Sequence, residues 1–123
     1  MGQKIRDIKR VEVTTSAGSS VLAHTIATTN NTSIRIRAEL LGRRAFNTDT
    51  YCRVYESVFK NVSGTVSQVG TTQSIFYVAD TDVENASLSY TINGTNIEIY
   101  VNGDTDVNIL TMSWELVIYI SVN

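Results

Sequence analysis

Apolar side chains in this chain recur at every second position, and nowhere do they keep helical spacing for three turns. Successive side chains of an extended strand point to opposite faces, so this rhythm marks half-buried strands. It is clearest where Met112, Trp114, Leu116, Ile118, Ile120 and Val122 alternate with Thr111, Ser113, Glu115, Val117, Tyr119 and Ser121. Ile34, Ile36, Ala38 and Leu40 alternate with Arg35, Arg37 and Glu39, and the runs around Leu88–Ile92 and Ile97–Val101 repeat the pattern. Thr, Val, Ile and Tyr fit a pleated surface, and proline is absent. The expected fold is all-β.

Turn residues cut these runs at the spacing of a sandwich. Asn93-Gly94 lies between two alternating runs and signals a tight hairpin, because both residues tolerate positive φ. Ala17-Gly18-Ser19-Ser20, Thr28-Thr29-Asn30-Asn31, Ala79-Asp80-Thr81-Asp82 and Asn102-Gly103-Asp104 mark further loops. Strands are expected near residues 8–15, 20–27, 32–42, 50–60, 65–69, 73–79, 86–93, 96–102 and 110–122. Together they predict one domain, residues 1–123, an antiparallel β-sandwich with jelly-roll-like or Greek-key connections and an N-terminal arm at 1–7. A chain of 123 residues buries a core without a disulfide or a metal. Trp114, in mid-strand on the apolar set, is expected to anchor that core.

Charge and composition exclude several roles. Hydrophobic residues at 42% and charged residues at 18% describe a folded domain. A net charge of -2 gives no footprint for nucleic acid, and the basic residues near the start read as solvated strand faces. No apolar run approaches the ~20 residues of a membrane helix, so no membrane partner is expected. The opening Met1-Gly2-Gln3-Lys4-Ile5-Arg6-Asp7 has neither a signal-peptide core nor a myristoylation motif. The protein is therefore expected to be made in a cytoplasm and to bypass the secretory route. In that setting the Asn-x-Ser/Thr tripeptides at Asn31, Asn61, Asn85 and Asn93 are chance matches.

Residues able to do chemistry are few. Cys52, the one cysteine, sits in Tyr51-Cys52-Arg53-Val54, where a strand is expected to bury it as a small hydrophobe. His24 is the one histidine and stands in a strand, which excludes a multi-histidine metal site. Asp80 with Asp82, and Asp104 with Asp106, offer paired carboxylates in loops, the oxygen chemistry that calcium favours. Neither pair has the further ligands of a calcium loop, and Asp favours turns for its own hydrogen bonds. No phosphate loop, nucleophile elbow or zinc spacing occurs. No catalytic residue, cofactor or metal is expected.

Aromatics point elsewhere. Tyr55, Phe59, Tyr77, Tyr100, Val117 and Tyr119 make more apolar surface than the inner faces of a small sandwich call for. Either they meet another subunit, since aromatics are enriched at interfaces, or a loop or the second sheet covers them.

The layout from about Val11 to Val122 resembles a small β-domain of tailed-bacteriophage virion proteins, found at tail-fibre tips and as free-standing capsid or tail appendages. The resemblance is carried by Ile34-Arg35-Ile36-Arg37-Ala38-Glu39-Leu40-Leu41-Gly42-Arg43-Arg44, a strand ending in paired arginines. It continues through Tyr51-Cys52-Arg53-Val54-Tyr55-Glu56 and Gly64-Thr65-Val66-Ser67-Gln68-Val69-Gly70. It closes on Ile97-Glu98-Ile99-Tyr100-Val101-Asn102-Gly103 and Met112-Ser113-Trp114-Glu115-Leu116, with Asn102 where the family has Thr. It implies a non-enzymatic virion structural protein, a capsid or tail decoration subunit that docks on other virion proteins. It also implies a homotrimer, with Tyr55, Phe59, Tyr100, Val117 and Tyr119 expected at the contact. The alternative is a receptor-binding module for a host-surface glycan, which would place Tyr or Trp in exposed loops.

Overall fold

A computed structural model describes residues 5–105 and 111–123. The described strands are β1 (Ile5–Ser16), β2 (Ser20–Ala27), β3 (Thr32–Arg44), β4 (Thr50–Val62), β5 (Thr65–Ala79), β6 (Ser87–Asn93), β7 (Asn96–Asn102) and β8 (Thr111–Val122). A single 3-10 turn at Thr81–Val83 follows β5. The strands form two antiparallel sheets, β1-β8-β3-β4-β5 and β2-β7-β6, packed into the expected all-β sandwich but divided five against three.

The final strand, β8, lies inside the larger sheet, with β1 on one side and β3 on the other. Its alternation is met by both neighbours: Leu116 stands opposite Val11 and Leu40, and Trp114 opposite Val13 and Gly42. The core holds Ile34, Ile36, Leu40, Ile97, Ile99, Leu116 and Ile118, each 1% exposed or less. Each fully buried side chain of this kind contributes about 1.5–3 kcal/mol.

Trp114 anchors this core at 2% exposure. Its indole N–H donates to Thr15 Oγ1 at 2.8 Å, and Tyr51 packs edge-on at 5.3 Å between centroids. Its six-membered ring lies over Gly42, where a Cβ would overlap ring carbons. The glycine is required here by close approach. Gly42→Ala is therefore expected to destabilise by about 1–3 kcal/mol through overpacking, read as a lowered urea midpoint; an unchanged midpoint would count against this packing.

Three expectations are corrected. The strands expected at 65–69 and 73–79 are one strand, β5, with register irregularities opposite Ser57 and between Ser74 and Phe76. Gly70 at φ 71° and the residues after it bulge out, so the ladder resumes beyond the turn-like residues. The β6–β7 hairpin turns at Gly94-Thr95, with Gly94 at φ 62° and Asn93 still paired to Asn96. The arm expected at 1–7 gives way to strand from Ile5, because Asp7 and Arg6 already pair with Ile120 and Ser121; residues 1–4 lie outside the described residues.

Candidate interaction surface

Three strands do not cover five. β2 packs beside β1. At the other end β6 reaches β4, where Tyr90 meets Phe59 edge-on at 5.3 Å and the Leu88 N–H donates to Tyr55 Oη at 3.2 Å. β5 lies beyond this cover, at the edge of the sheet, and every residue from Val69 to Val78 is exposed.

The outer face of the larger sheet is laid out in cross-strand rows. One row runs Glu12, Glu115, Leu41, Cys52, Val78; the next runs Arg10, Val117, Glu39, Val54, Phe76. Beyond them lie Ile8, Tyr119, Arg37, Glu56 and Gln73. At the β5 side the first two rows form an apolar field in which Leu41 is 49%, Phe76 51% and Val78 60% exposed. A shallow depression of about 200 Å³ lies among Leu41, Cys52 and Val117. Glu39 and Glu115 also line it, and Glu12 stands opposite Glu115, while other charges of the face are paired. Arg35 pairs with Glu56, Arg37 lies 3.4 Å from Glu39, and Tyr119 Oη donates to Glu39 at 3.4 Å. Such exposed pairs stabilise little.

At the β5 margin a polar column links core to surface. Tyr51 Oη and Tyr55 Oη are 2.7 Å apart in the interior. Arg53 lies over the rings of Tyr55 at 5.0 Å and Tyr77 at 4.5 Å, while its Nε donates to Ser74 Oγ at 2.9 Å. Tyr77 Oη donates to the Glu84 carbonyl at 2.6 Å, tying the loop after β5 to the strand. Burial, then the hydrogen bond with Tyr55, pushes the Tyr51 phenol well above its ordinary value. Burial pushes Tyr90 from 10 up to about 12.

The residues expected at a shared contact do not come together. Tyr55 and Phe59, at 4% and 1% exposure, are core residues, because β4 turns them toward β6. Val117 lies on the outer face but is 7% exposed, packed between the neighbouring strands. Tyr119 is half-buried two residues along on the same face. Tyr100 is opposite Leu22 and Ser89 in the smaller sheet, on a different sheet from Val117 and Tyr119. The trimer contact built from these five residues therefore has no common face.

Cys52 is half-buried and belongs to the outer face, beside Leu41 and Val78, rather than to the core. Burial, then Glu39, pushes its thiol up, away from reactivity. His24 sits at the bulge of β2 beside a cleft it shares with Asp7 and Lys9, and burial, then Lys9, lowers its pKa. Asp80 accepts the Thr50 N–H at 2.9 Å while its own N–H donates to the Thr50 carbonyl at 2.9 Å. Asp104, 1% exposed, accepts the Asn85 N–H at 2.9 Å. Both fasten loops. Asp82 is exposed in the 3-10 turn, and Asp106 lies outside the described residues. Among the described residues no group of three His, Cys, Asp or Glu side chains is placed to hold a metal.

Leu41, Phe76 and Val78 were not singled out by sequence reasoning. The available signal was β5 itself, fifteen residues with no charged side chain.

No family model matches the sequence, and no curated protein matches it. Among solved structures, the tailspike protein of Acinetobacter baumannii phage AM24 shares the fold at a TM-score of 0.52 and 11% identity, over 97% of this chain and 26% of that one. A tailspike protein of Acinetobacter baumannii bacteriophage Fri1, a capsular polysaccharide depolymerase, aligns at a TM-score of 0.49 and 8% identity, over 94% of this chain and 17% of that one. The chain thus spans about a quarter or less of the length of these two proteins.

Proposed function

We propose that this domain is a bacteriophage virion component, associated with the tail, that acts by docking on another virion protein rather than by catalysis. The observation that carries the reading is the exposed apolar field of Leu41, Phe76 and Val78 on the outer face. A surface of that kind loses little on desolvation when a partner covers it. The fold shared with the AM24 tailspike protein supports placing it in a tail. The buried or bonded state of Asp80 and Asp104 supports a non-catalytic role, since both carboxylates are already used by backbone N–H groups.

Cross-linking in purified particles, followed by mass spectrometry, tests the proposal. Cross-links from the five-stranded face to a tail protein are expected, with copy number in the range of a tail rather than the hundreds of a capsid decoration. Leu41→Lys, on an exposed site, should keep the fold and weaken that docking by at least 10-fold, because it leaves a charge buried in the contact. Docking that ignores Leu41→Lys defeats the assignment of the face.

One observation favours a second reading as a host-glycan receptor-binding module. Phe46, 91% exposed in the β3–β4 loop, is an aromatic of the kind that stacks on sugars. Saturable binding to capsular oligosaccharide, abolished by Phe46→Ala, would select it.

A further inference from the structure

The outer edges of the two sheets are not treated alike. β1, at one edge of the larger sheet, carries Arg6, Asp7, Lys9, Arg10 and Glu12. β2 has a bulge between Leu22 and His24, and β6 is only seven residues long. Charges, bulges and short length are the devices by which proteins keep unpaired strand edges from joining other strands. β5 is fifteen residues long and carries neither charge nor proline. Its irregularities lie before Phe76, which leaves Phe76, Tyr77, Val78 and Ala79 as a regular ladder against Val54, Arg53, Cys52 and Tyr51. Among the described residues no strand pairs with the other side of that ladder.

We propose that the Phe76–Ala79 end of β5 pairs antiparallel with the same segment of a second copy of this chain, joining two five-stranded sheets across a two-fold axis. In such a pair each strand meets its own sequence reversed, so a charged strand would set like charges close together. A neutral strand meets its copy without that opposition, which favours a second copy over a charged partner strand. The side chains available are Ile75 at 50%, Phe76 at 51%, Tyr77 at 42% and Val78 at 60% exposure. They offer about 350 Å² of apolar surface per copy. These exposures already include the backbone, so two copies bury at most about 700 Å², below the size of a stable specific interface. The pairing is therefore weak and concentration-dependent.

Sedimentation velocity of the full chain from about 5 to about 500 µM should show a monomer–dimer equilibrium in that range. Phe76→Lys with Val78→Lys gathers four ammonium groups at the axis and should weaken the dimer roughly 100-fold. Ile8→Lys, on the opposite edge strand, should leave it unchanged. Hydrogen exchange on the unaltered protein supplies a reading that no variant's folding can confuse: amides of Phe76–Ala79 should gain protection on concentration. A monomer throughout the range, a trimer, or a dimer indifferent to the paired lysines overturns the proposal. So does protection of these amides by another virion protein's strand in place of a second copy. Leu41→Lys should leave the dimer intact, so failure of this pairing and failure of the docking face are read separately.

Discussion

Trp114→Ala is expected to remove about 3–5 kcal/mol of folding stability, the cost of truncating a buried aromatic. Single domains are stable by about 5–15 kcal/mol, so the variant should be marginal or unfolded at room temperature. Two losses combine. The cavity lies between β1, β3 and Tyr51, elements too well paired to collapse into it. In addition, Thr15 Oγ1, 2% exposed as a residue, loses the indole N–H that it accepts. Because the chain has one tryptophan, unfolding must be followed by circular dichroism rather than by fluorescence. Trp114→Phe keeps most of the apolar volume but not the donor, and should cost less. A Trp114→Ala protein within about 1 kcal/mol of the parent would remove this residue from the centre of the fold.

The second large effect is alkaline. Tyr90 and Tyr51 both hold their protons in the folded protein beyond the point at which an unfolded phenol, with pKa 10, releases one. The unfolded chain then binds fewer protons than the native one, so stability falls as pH rises. The stabilisation is complete below pH 10 and is lost as pH climbs through the folded values, about 12 for Tyr90. With both groups un-ionised in the fold, the slope above pH 10 approaches about 2.7 kcal/mol per pH unit. Urea midpoints at pH 8, 10, 11 and 11.5 measure it directly. Tyr51→Phe should roughly halve the slope, whatever it does to stability at neutral pH. A midpoint flat through pH 11.5 would mean that these phenols are hydrated.

The parts of the fold legible in the sequence were those in which one side of a strand meets a core and the other meets water. β3 alternates without interruption and β8 through most of its length, with Val117 buried on the outer side as well. Their inward residues from Ile34 to Leu40 and from Met112 to Ile120 are buried, Trp114 included. β5 was harder to read, because its buried side is short: Val66 reaches the core, but Val69 to Val78 lie beyond the cover of the shorter sheet, so the period fades and its Gly70 reads as a turn. The contact surface was misplaced for a related reason. Alternation says which side chains share a face, yet not whether a second sheet lies over that face. Tyr55 and Phe59 looked surplus until β6 covered them, whereas Phe76 and Val78 looked ordinary until no strand did. Sheet coverage depends on strand order, a long-range property that no local window contains.

The position of β8 has a consequence for how the chain is born. Residues 111–122 are synthesised after every other strand, yet they fill the slot that joins β1 to β3. Until they leave the ribosome, β1 has no partner in its sheet and β3 has an open side. Pairing Ile5 with Val122 joins the two ends of this domain, the kind of contact that makes folding slow. Assembly of the sandwich therefore waits until β8 has been made. A chain cut short anywhere before β8 leaves two sticky half-sheets, substrates for chaperones and proteases rather than a smaller functional domain.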